Sequence, residues 1–383
     1  MEVSVIIPCL NESRTLATCI KKALQGIRAV GAEGEVVVID NGSTDNSREI
    51  AKAEGARVVQ EEVKGYGSAL RRGILEARGT YVIMADADDT YDFLQAGKFI
   101  ELLRGGAEFV MGNRFGGKIY PKAMPHLHRW FGTPVLTFIL RLFFKAPISD
   151  VNCGMRGFRK DAVERLGLRC TGMEFASEML IKASMEKLKI QETPIDLHAG
   201  PPDRKPHLRS FRDGWRHLRV MLALCPKYLF VYPGSILSLL GLLLLVAVHI
   251  PGFKVFGMSL GISSAAFSSA LFFMGIQIAL FGVYSIALNH ANGILKEDRI
   301  TRFFKTTFTL ERGLVLGGII LAAGLVMGIT TIGLIFTYAH NLSYVDIPLA
   351  RLAILSIFVT MIGIQVVFSS FFISLVNIRE MLK

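Results

Sequence analysis

The sequence predicts an α/β domain on a mainly parallel sheet, followed by a transmembrane domain of four helices. Three observations carry that prediction. Short β-branched runs alternate with amphipathic helical patterns through the first half of the chain. Four apolar stretches of the length needed to cross a bilayer follow. At 383 residues, 51% hydrophobic, with a mean hydropathy of +0.43, the chain is too long and apolar for one ordinary soluble domain. The expected divisions are a globular domain over 1–210, an interfacial amphipathic helix over 211–226 and a membrane domain over 227–383.

Residues 3–7 read as an apolar strand, and a helix starting near Glu12 places Leu16, Ile20 and Leu24 on one face. A second strand, 36–39, ends at Asp40-Asn41-Gly42-Ser43-Thr44, with Ser43 and Thr44 as N-caps for a helix through Ile50. Residues 57–60 form a short strand, and Gly65-Tyr66-Gly67 opens a helix carrying Leu70, Ile74 and Ala77. The strand 81–85 runs straight into Asp86, Asp88 and Asp89, the last read as a cap for a helix near Tyr91. A further strand covers 109–111. Such βαβ alternation puts ligands at the carboxyl ends of the strands. The helical pattern over 130–145 fits a buried helix and an interfacial one equally. The basic, Trp215-bearing pattern over 211–224 favours the interface.

The four spans are expected over 229–249, 265–288, 314–338 and 352–376, and Gly313, Gly317 and Gly318 permit close helix packing. The loop between the second and third carries Lys296, Arg299, Arg302, Lys305 and Arg312, whereas the opposite loops carry little beyond Lys254 and Arg351. The positive-inside rule therefore makes that loop, the globular domain and both termini cytoplasmic, in a multi-pass integral membrane protein. The N-terminal residues form a strand and lack the basic region of a signal peptide. The net charge of +11 is concentrated partly in 204–219, where anionic lipid accounts for it better than nucleic acid. Cys9, Cys19, Cys153, Cys170 and Cys225 have no metal-binding spacing and read as reduced thiols.

Adjacent carboxylates repel until a cation neutralises them, so a strand delivering Asp86 and Asp88 to a sheet edge calls for a divalent metal. Asn11, Glu12 and Asp40 fall at the same edge. Each alone reads equally as a loop residue or a helix cap; together they favour a nucleotide pocket.

Three segments resemble the signature elements of family 2 glycosyltransferases with a GT-A (Rossmann-like) fold. They are Val5-Ile6-Ile7-Pro8-Cys9-Leu10-Asn11-Glu12, Val38-Ile39-Asp40-Asn41-Gly42-Ser43-Thr44-Asp45 and Asp86-Ala87-Asp88. Gly112-Asn113-Arg114 and the segment from Asp150 to Phe158 resemble the polyprenyl-phosphate hexosyltransferase branch, which includes the dolichyl-phosphate mannose and glucose synthases. The resemblance spans 1–220. It implies that Pro8, Asn11, Glu12, Asp40 and Ala87 hold base and ribose. Lys64 either approaches the donor or is a solvated turn lysine. Asp86 and Asp88 are implied to hold Mg²⁺ or Mn²⁺ on a nucleotide-sugar diphosphate, with Thr90 where some relatives carry a Gln ligand. Arg114 and Arg156, with the run containing Arg204, Lys205, His207 and Arg209, would bind the phosphate of a polyprenyl-phosphate acceptor; the alternative for that run is a headgroup patch. Asp150 would orient the acceptor or take its proton, or simply cap a helix. Glu174 and Glu178 are donor-positioning or core-edge carboxylates. The implied reaction is metal-dependent, inverting transfer of a hexose from a UDP-glucose or GDP-mannose type donor. Two other readings stand beside it. A processive polysaccharide synthase would need a Gln-x-x-Arg-Trp motif; the nearest string, His126-Leu127-His128-Arg129-Trp130, lacks the Gln and precedes Asp150. A non-catalytic nucleotide-binding scaffold conflicts with the intact Asp86/Asp88 pair. A homo-oligomer is compatible with the sequence.

Overall fold

Enclosure of Val3, Val5, Ile6 and Ile7 makes the first strand, Val3–Cys9 (β1), the spine of a seven-stranded sheet. The computed structural model describes residues 1–201, 210–255, 257–297, 299–338 and 347–381, in two units, Met1–Leu222 and Ala223–Lys383. In the first unit β1 leads to Leu16–Ala29 (α1), Gly34–Asp40 (β2), Ser47–Ala53 (α2), Arg57–Gln60 (β3), Tyr66–Glu76 (α3) and Tyr81–Met84 (β4). Then come Ala96–Arg104 (α4), Phe109–Asn113 (β5), Thr133–Phe144 (α5), Arg156–Arg159 (β6), Lys160–Glu164 (α6), Phe175–Met185 (α7), Ile190–Pro194 (β7) and Ser210–Ala223 (α8).

The sheet order is β3-β2-β1-β4-β6-β5-β7. β1 pairs in parallel with both β2 and β4, so the connections diverge on either side of it and open a crevice at the carboxyl edge. β6 runs antiparallel to both its neighbours, with Arg156 opposite Met84 and Met111. Its first residue therefore lies at the same edge where β4 and β5 end. Neither β6 nor β7 is predicted from the sequence. Arg156-Gly157-Phe158-Arg159 and Ile190-Gln191-Glu192-Thr193-Pro194 lack the β-branched run that marks β1 and β2.

Local expectations change in four places. The first helix begins at Leu16, after a loop stitched to the β2 loop. Ser43 and Thr44 do not cap α2: Asp45 accepts bonds from the Ser47 amide and hydroxyl, while Ser43 Oγ accepts from the Asn11 amide. Asp89 is not a cap either. It adopts a left-handed conformation (φ 57°) and pairs with Lys22 at 2.8 Å, and Asp92 caps the short turn Phe93–Gln95 instead. The 130–145 pattern resolves into a turn over His128–Gly132 and α5, with Trp130 73% and Phe138 64% exposed.

The second unit contains Tyr232–His249 (α9), Lys254–Val255 (β8), Met258–Ser259 (β9), Ile262–Ala291 (α10), Arg299–Thr306 (α11), Leu310–Tyr338 (α12) and Ile347–Met381 (α13). Among the described residues four helical segments are long and apolar enough to span a membrane: Lys227–His249, Ile262–Ala291, Leu310–Thr337 and Pro348–Val376. Glycines bring α9 against α10 and α12 against α13: a Cβ on Gly241 would strike the Phe272 backbone, and one on Gly363 the Leu321 backbone. Gly313 and Gly317 meet Ser370 and Val367 in this way, but Gly318 faces open space. A polar cluster ties α10 to α13. Gln277 donates to Gln365 at 2.8 Å, and Tyr284 and Ser369 lie 2.6 Å apart beside them.

Candidate active site

The loops after β1 and β2 are laced into one shelf. Asn11 (φ 59°) accepts bonds from the Thr44 amide and hydroxyl, the Glu12 amide donates to Ser47 Oγ, and the Ser13 amide donates to Asp45. Asp40 sits beneath, accepting from the Ser43 amide at 2.9 Å and from Arg48 Nε at 2.6 Å. Burial raises the Asp40 carboxyl, but the Ser43 bonds and the Arg48 guanidinium outweigh it and hold the group below its usual range. Pro8 is half-buried and Glu12 is buried on the same shelf. Lys64 is exposed and folds back onto the Asn41 carbonyl at 2.9 Å.

Asp86 and Asp88 follow β4. The Tyr66 hydroxyl donates to Asp86 Oδ1 at 2.9 Å, and burial together with the Asp86 charge pushes Tyr66 far above its ordinary value, so its proton stays in that bond. Asp86 Oδ2 lies over Gly154, where a Cβ would come within 2.8 Å of it; the Gly154 amide donates to Tyr91 at 2.8 Å. Thr90 departs from its expected role. Its hydroxyl donates to Asp88 Oδ1 at 2.6 Å and its amide to the same oxygen, so Thr90 orients Asp88 and is not placed as a third metal ligand. Ala87 is buried, and its carbonyl accepts from the Thr15 hydroxyl.

Among the described residues no group of three or more His, Cys, Asp or Glu is gathered to hold a cation. Two carboxylates without a third protein ligand suit Mg²⁺ or Mn²⁺ of the kind that completes its shell with water and substrate phosphate. The donor set therefore fits the metal when a diphosphate accompanies it.

Arg114 contributes the cation of the site. Its Nε and Nη2 bind the two Asp150 oxygens at 2.6 and 2.7 Å, and its amide donates to Asp150 as well. Burial works against the Arg114 charge, but the Tyr91 oxygen and the Asp150 carboxylate more than compensate and raise it. Asp150 itself is 0% exposed with both oxygens occupied, so it is not placed as a base facing a substrate. Arg156 also lines the cavity described below. It is fully buried and donates to the Cys153, Ala176 and Val151 carbonyls, a strut rather than an open phosphate receptor. Glu178 pairs with Lys182 at 2.8 Å and accepts the Arg169 and Cys170 amides, bracing a loop, and Glu174 stands at the N-terminus of α7. Arg204, Lys205, His207 and Arg209 lie outside the described residues.

The site encloses a cavity of about 490 Å³. Its lining includes Asp86, Asp88, Thr90, Tyr66, Tyr91, Arg114, Lys122, His128 and Asn152, with Asp213, Gly214 and His217 from α8. Tyr66, Tyr91, Lys122, His128, Asn152, Asp213 and His217 are absent from the sequence-based site. The spacing of Asp213 and His217, one helical turn apart and one turn before Met221, was the available signal for the last two. Burial, then the charge of Arg156, lowers His217 to about 4, so its ring is neutral, and Nδ1 lies 2.6 Å from Ser177 Oγ.

Residues 4–167 match the profile of Glycosyl transferase family 2, and residues 283–377 that of the Glycosyltransferase family 2 C-terminal transmembrane region. A low-salt glycan biosynthesis hexosyltransferase of Haloferax volcanii, Agl6, is 40% identical over 372 residues, covering 96% of this chain and 87% of the relative. A dolichyl-phosphate hexose transferase of the same organism is 30% identical over 195 residues, 51% of this chain and 82% of the relative. Among solved structures, glucosyl-3-phosphoglycerate synthase from Mycobacterium tuberculosis, in complex with Mn²⁺, UDP and glucosyl-3-phosphoglycerate, aligns with a TM-score of 0.47 at 20% identity over 58% of this chain and 80% of that one. With an acidic pair at the crevice, four apolar helices later in the chain and a near full-length match to a hexosyltransferase, the chain belongs to glycosyltransferase family 2, as a membrane member with the GT-A fold.

Proposed function

We propose that the protein transfers a hexosyl group from a nucleoside-diphosphate sugar to a polyprenyl phosphate at the cytoplasmic membrane face, with inversion at the anomeric carbon. The observation that carries this reading is one cavity lined by both the Asp86/Asp88 pair and a rigidly held Arg114. The acidic pair suits the metal on a donor diphosphate; the cation suits an acceptor anion.

The shelf of Pro8, Asn11, Glu12 and Asp40 would seat base and ribose, with Lys64 at its margin. Mg²⁺ or Mn²⁺ held by Asp86 and Asp88 would supply neutralisation of the charge growing on the departing diphosphate. An acceptor phosphate oxygen forms the new bond to the anomeric carbon as the bond to the diphosphate oxygen breaks. Because a phosphate monoester is largely dianionic at neutral pH, no protein base has to remove a proton. Arg114 brings the acceptor anion beside the donor, and Asp150 acts as a positioning residue that fixes the guanidinium plane. The basic run containing Arg204, Lys205 and Arg209 is proposed to attract the acceptor from the membrane side. The basic sequence over 296–312 supports an orientation with both termini in the cytoplasm.

The purified full-length chain, given Mn²⁺, polyprenyl phosphate and a panel of UDP- and GDP-sugars, is expected to release nucleoside diphosphate and form a monoglycosylated lipid, detected by mass. Consumption of no donor, or release that does not depend on the lipid phosphate, would sink the proposal.

A further inference from the structure

Each carboxylate of the acidic pair accepts a hydrogen bond from a hydroxyl at its Oδ1. Tyr66 supplies one to Asp86 at 2.9 Å, and Thr90 supplies one to Asp88 at 2.6 Å. The two donors come from different places in the chain, the start of α3 and the turn after β4. All four side chains line the same cavity.

The backbone around both hydroxyls is fixed. Tyr66 lies between two glycines that bring the start of α3 directly onto the loop over 170–172. A Cβ on Gly65 would strike the Thr171 carbonyl oxygen, and one on Gly67 that of Cys170. The Ser68 amide completes the contact, donating to the Thr171 carbonyl at 3.1 Å. Close approach therefore accounts for Gly65-Tyr66-Gly67, and it delivers the phenol to Asp86. Thr90 is held through its own backbone. Its carbonyl accepts from the His198 amide at 2.9 Å, and its amide donates to Asp88 Oδ1 at 3.1 Å. Under the other end of the pair, Gly154 lets the Asp86 carboxylate rest against bare backbone, since a Cβ there would come within 2.8 Å of Oδ2.

Packing alone does not ask for these hydroxyls, because phenylalanine and valine would fill nearly the same shapes. What the hydroxyls add is direction and compensation. A carboxylate that accepts a hydrogen bond at one oxygen is fixed in orientation, and part of its charge is met before any cation arrives. Outer hydrogen bonds of this kind orient metal ligands and set how tightly they hold the ion.

We infer that Tyr66 and Thr90 are the positioning residues of the metal site, each hydroxyl fixing one carboxylate of the Asp86/Asp88 pair for Mg²⁺ or Mn²⁺ bound with the donor diphosphate. This rests on the donor reading above and deepens it, since it makes retention of the metal depend on two hydroxyls outside the acidic pair.

The test follows Mn²⁺ binding by electron paramagnetic resonance on the intact, detergent-solubilised chain, with UDP or GDP present. The unchanged protein is compared with Tyr66→Phe, Thr90→Val and Thr90→Ser. No Mn²⁺ binding by the unchanged protein with either nucleotide would overturn the metal-dependent donor reading, and this inference with it. Given binding, Tyr66→Phe and Thr90→Val are each expected to weaken Mn²⁺ by about tenfold or more while melting within a few degrees of the unchanged protein. Thr90→Ser, which keeps the hydroxyl and loses the methyl, is expected to restore most of the affinity that Thr90→Val loses. That pair separates a missing hydroxyl from a missing shape, and it decides the question if Tyr66→Phe fails to fold. A smaller loss in a folded Tyr66→Phe or in Thr90→Val, or no recovery in Thr90→Ser, would overturn the positioning role while leaving the donor reading intact.

Discussion

Asp150 and Arg114 form one rigid object, and substitutions at either end should show it. Asp150→Asn keeps the shape but leaves a buried guanidinium half-matched, a change of the kind that costs about 3–5 kcal/mol. We expect it to lower the melting temperature and to cut kcat by about 100-fold or more with little change in KM for the nucleotide sugar. Arg114→Lys retains Asp150 yet loses the two-pronged geometry, and should fall comparably. High activity in Arg114→Lys would return Asp150 to the role of base. His217 gives a second residue-scale prediction. Its folded value of about 4 lies below the unfolded value near 6.5, so protons favour the unfolded chain between those limits. Stability is then full above about pH 6.5 and falls by about 3 kcal/mol as the pH drops toward 4. Arg156 on β6, Glu174 at the start of α7 and Asp213 on the same helix face this ring. His217→Gln should flatten the melting temperature between pH 6.5 and 4, whereas an unchanged slope would show that other groups set it. Asp86 and Asp88 were legible in the sequence because a β-branched strand delivers them with no intervening polar residue. The roles of Thr90, Asp150 and Arg156 were not, since hydrogen bonds decide them: a hydroxyl turned onto Asp88, and a guanidinium filled by three carbonyls.

Elements reveal what individual residues do not. β1 and β2 announce themselves through uninterrupted Val and Ile, whereas β6 forms because β4 and β5 leave a vacancy between them that four mixed residues fill. Tertiary pairing created that strand, and local sequence had no means of declaring it. α8 shows the converse: its outward arginines and Trp215 announce an interface so strongly that its inward polar stripe is overlooked. α5 carries the question the sequence left open. Trp130 and Phe138 project outward with Arg129 over the Trp130 ring at 5.4 Å, a mixture suited to lipid headgroups and the upper acyl region. The chain has two tryptophans, so Trp215→Phe leaves Trp130 as the sole indole reporter. In reconstituted protein, brominated lipids should quench its emission. Full emission at the wavelength of a water-exposed indole would place α5 away from the bilayer.

At the scale of the molecule, the two units solve different problems. The first buries aliphatic strands; the second must satisfy polar groups without water, and the Gln277–Gln365 bond with its Tyr284 and Ser369 neighbours does so across α10 and α13. A double-mutant cycle with Gln277→Leu and Gln365→Leu, followed by detergent unfolding, should give a coupling of roughly 0.6–2 kcal/mol. Zero coupling would mean that the two helices hold together by their surfaces alone. The apolar spans were the most legible feature of the chain, because length and hydropathy suffice to identify them. The reversed direction of β6 carries a last consequence. β5 ends and β6 begins at the same sheet edge, so the whole excursion between Asn113 and Arg156 departs and returns at one place. It behaves as a cassette clipped in at both ends. Lengthening or exchanging it changes Arg114's surroundings and α5 without shifting the register of β1, β2 or β3. The fold thus lets the segment bearing Arg114 and α5 diversify while the strands that carry Asp40 and Asp86 stay fixed.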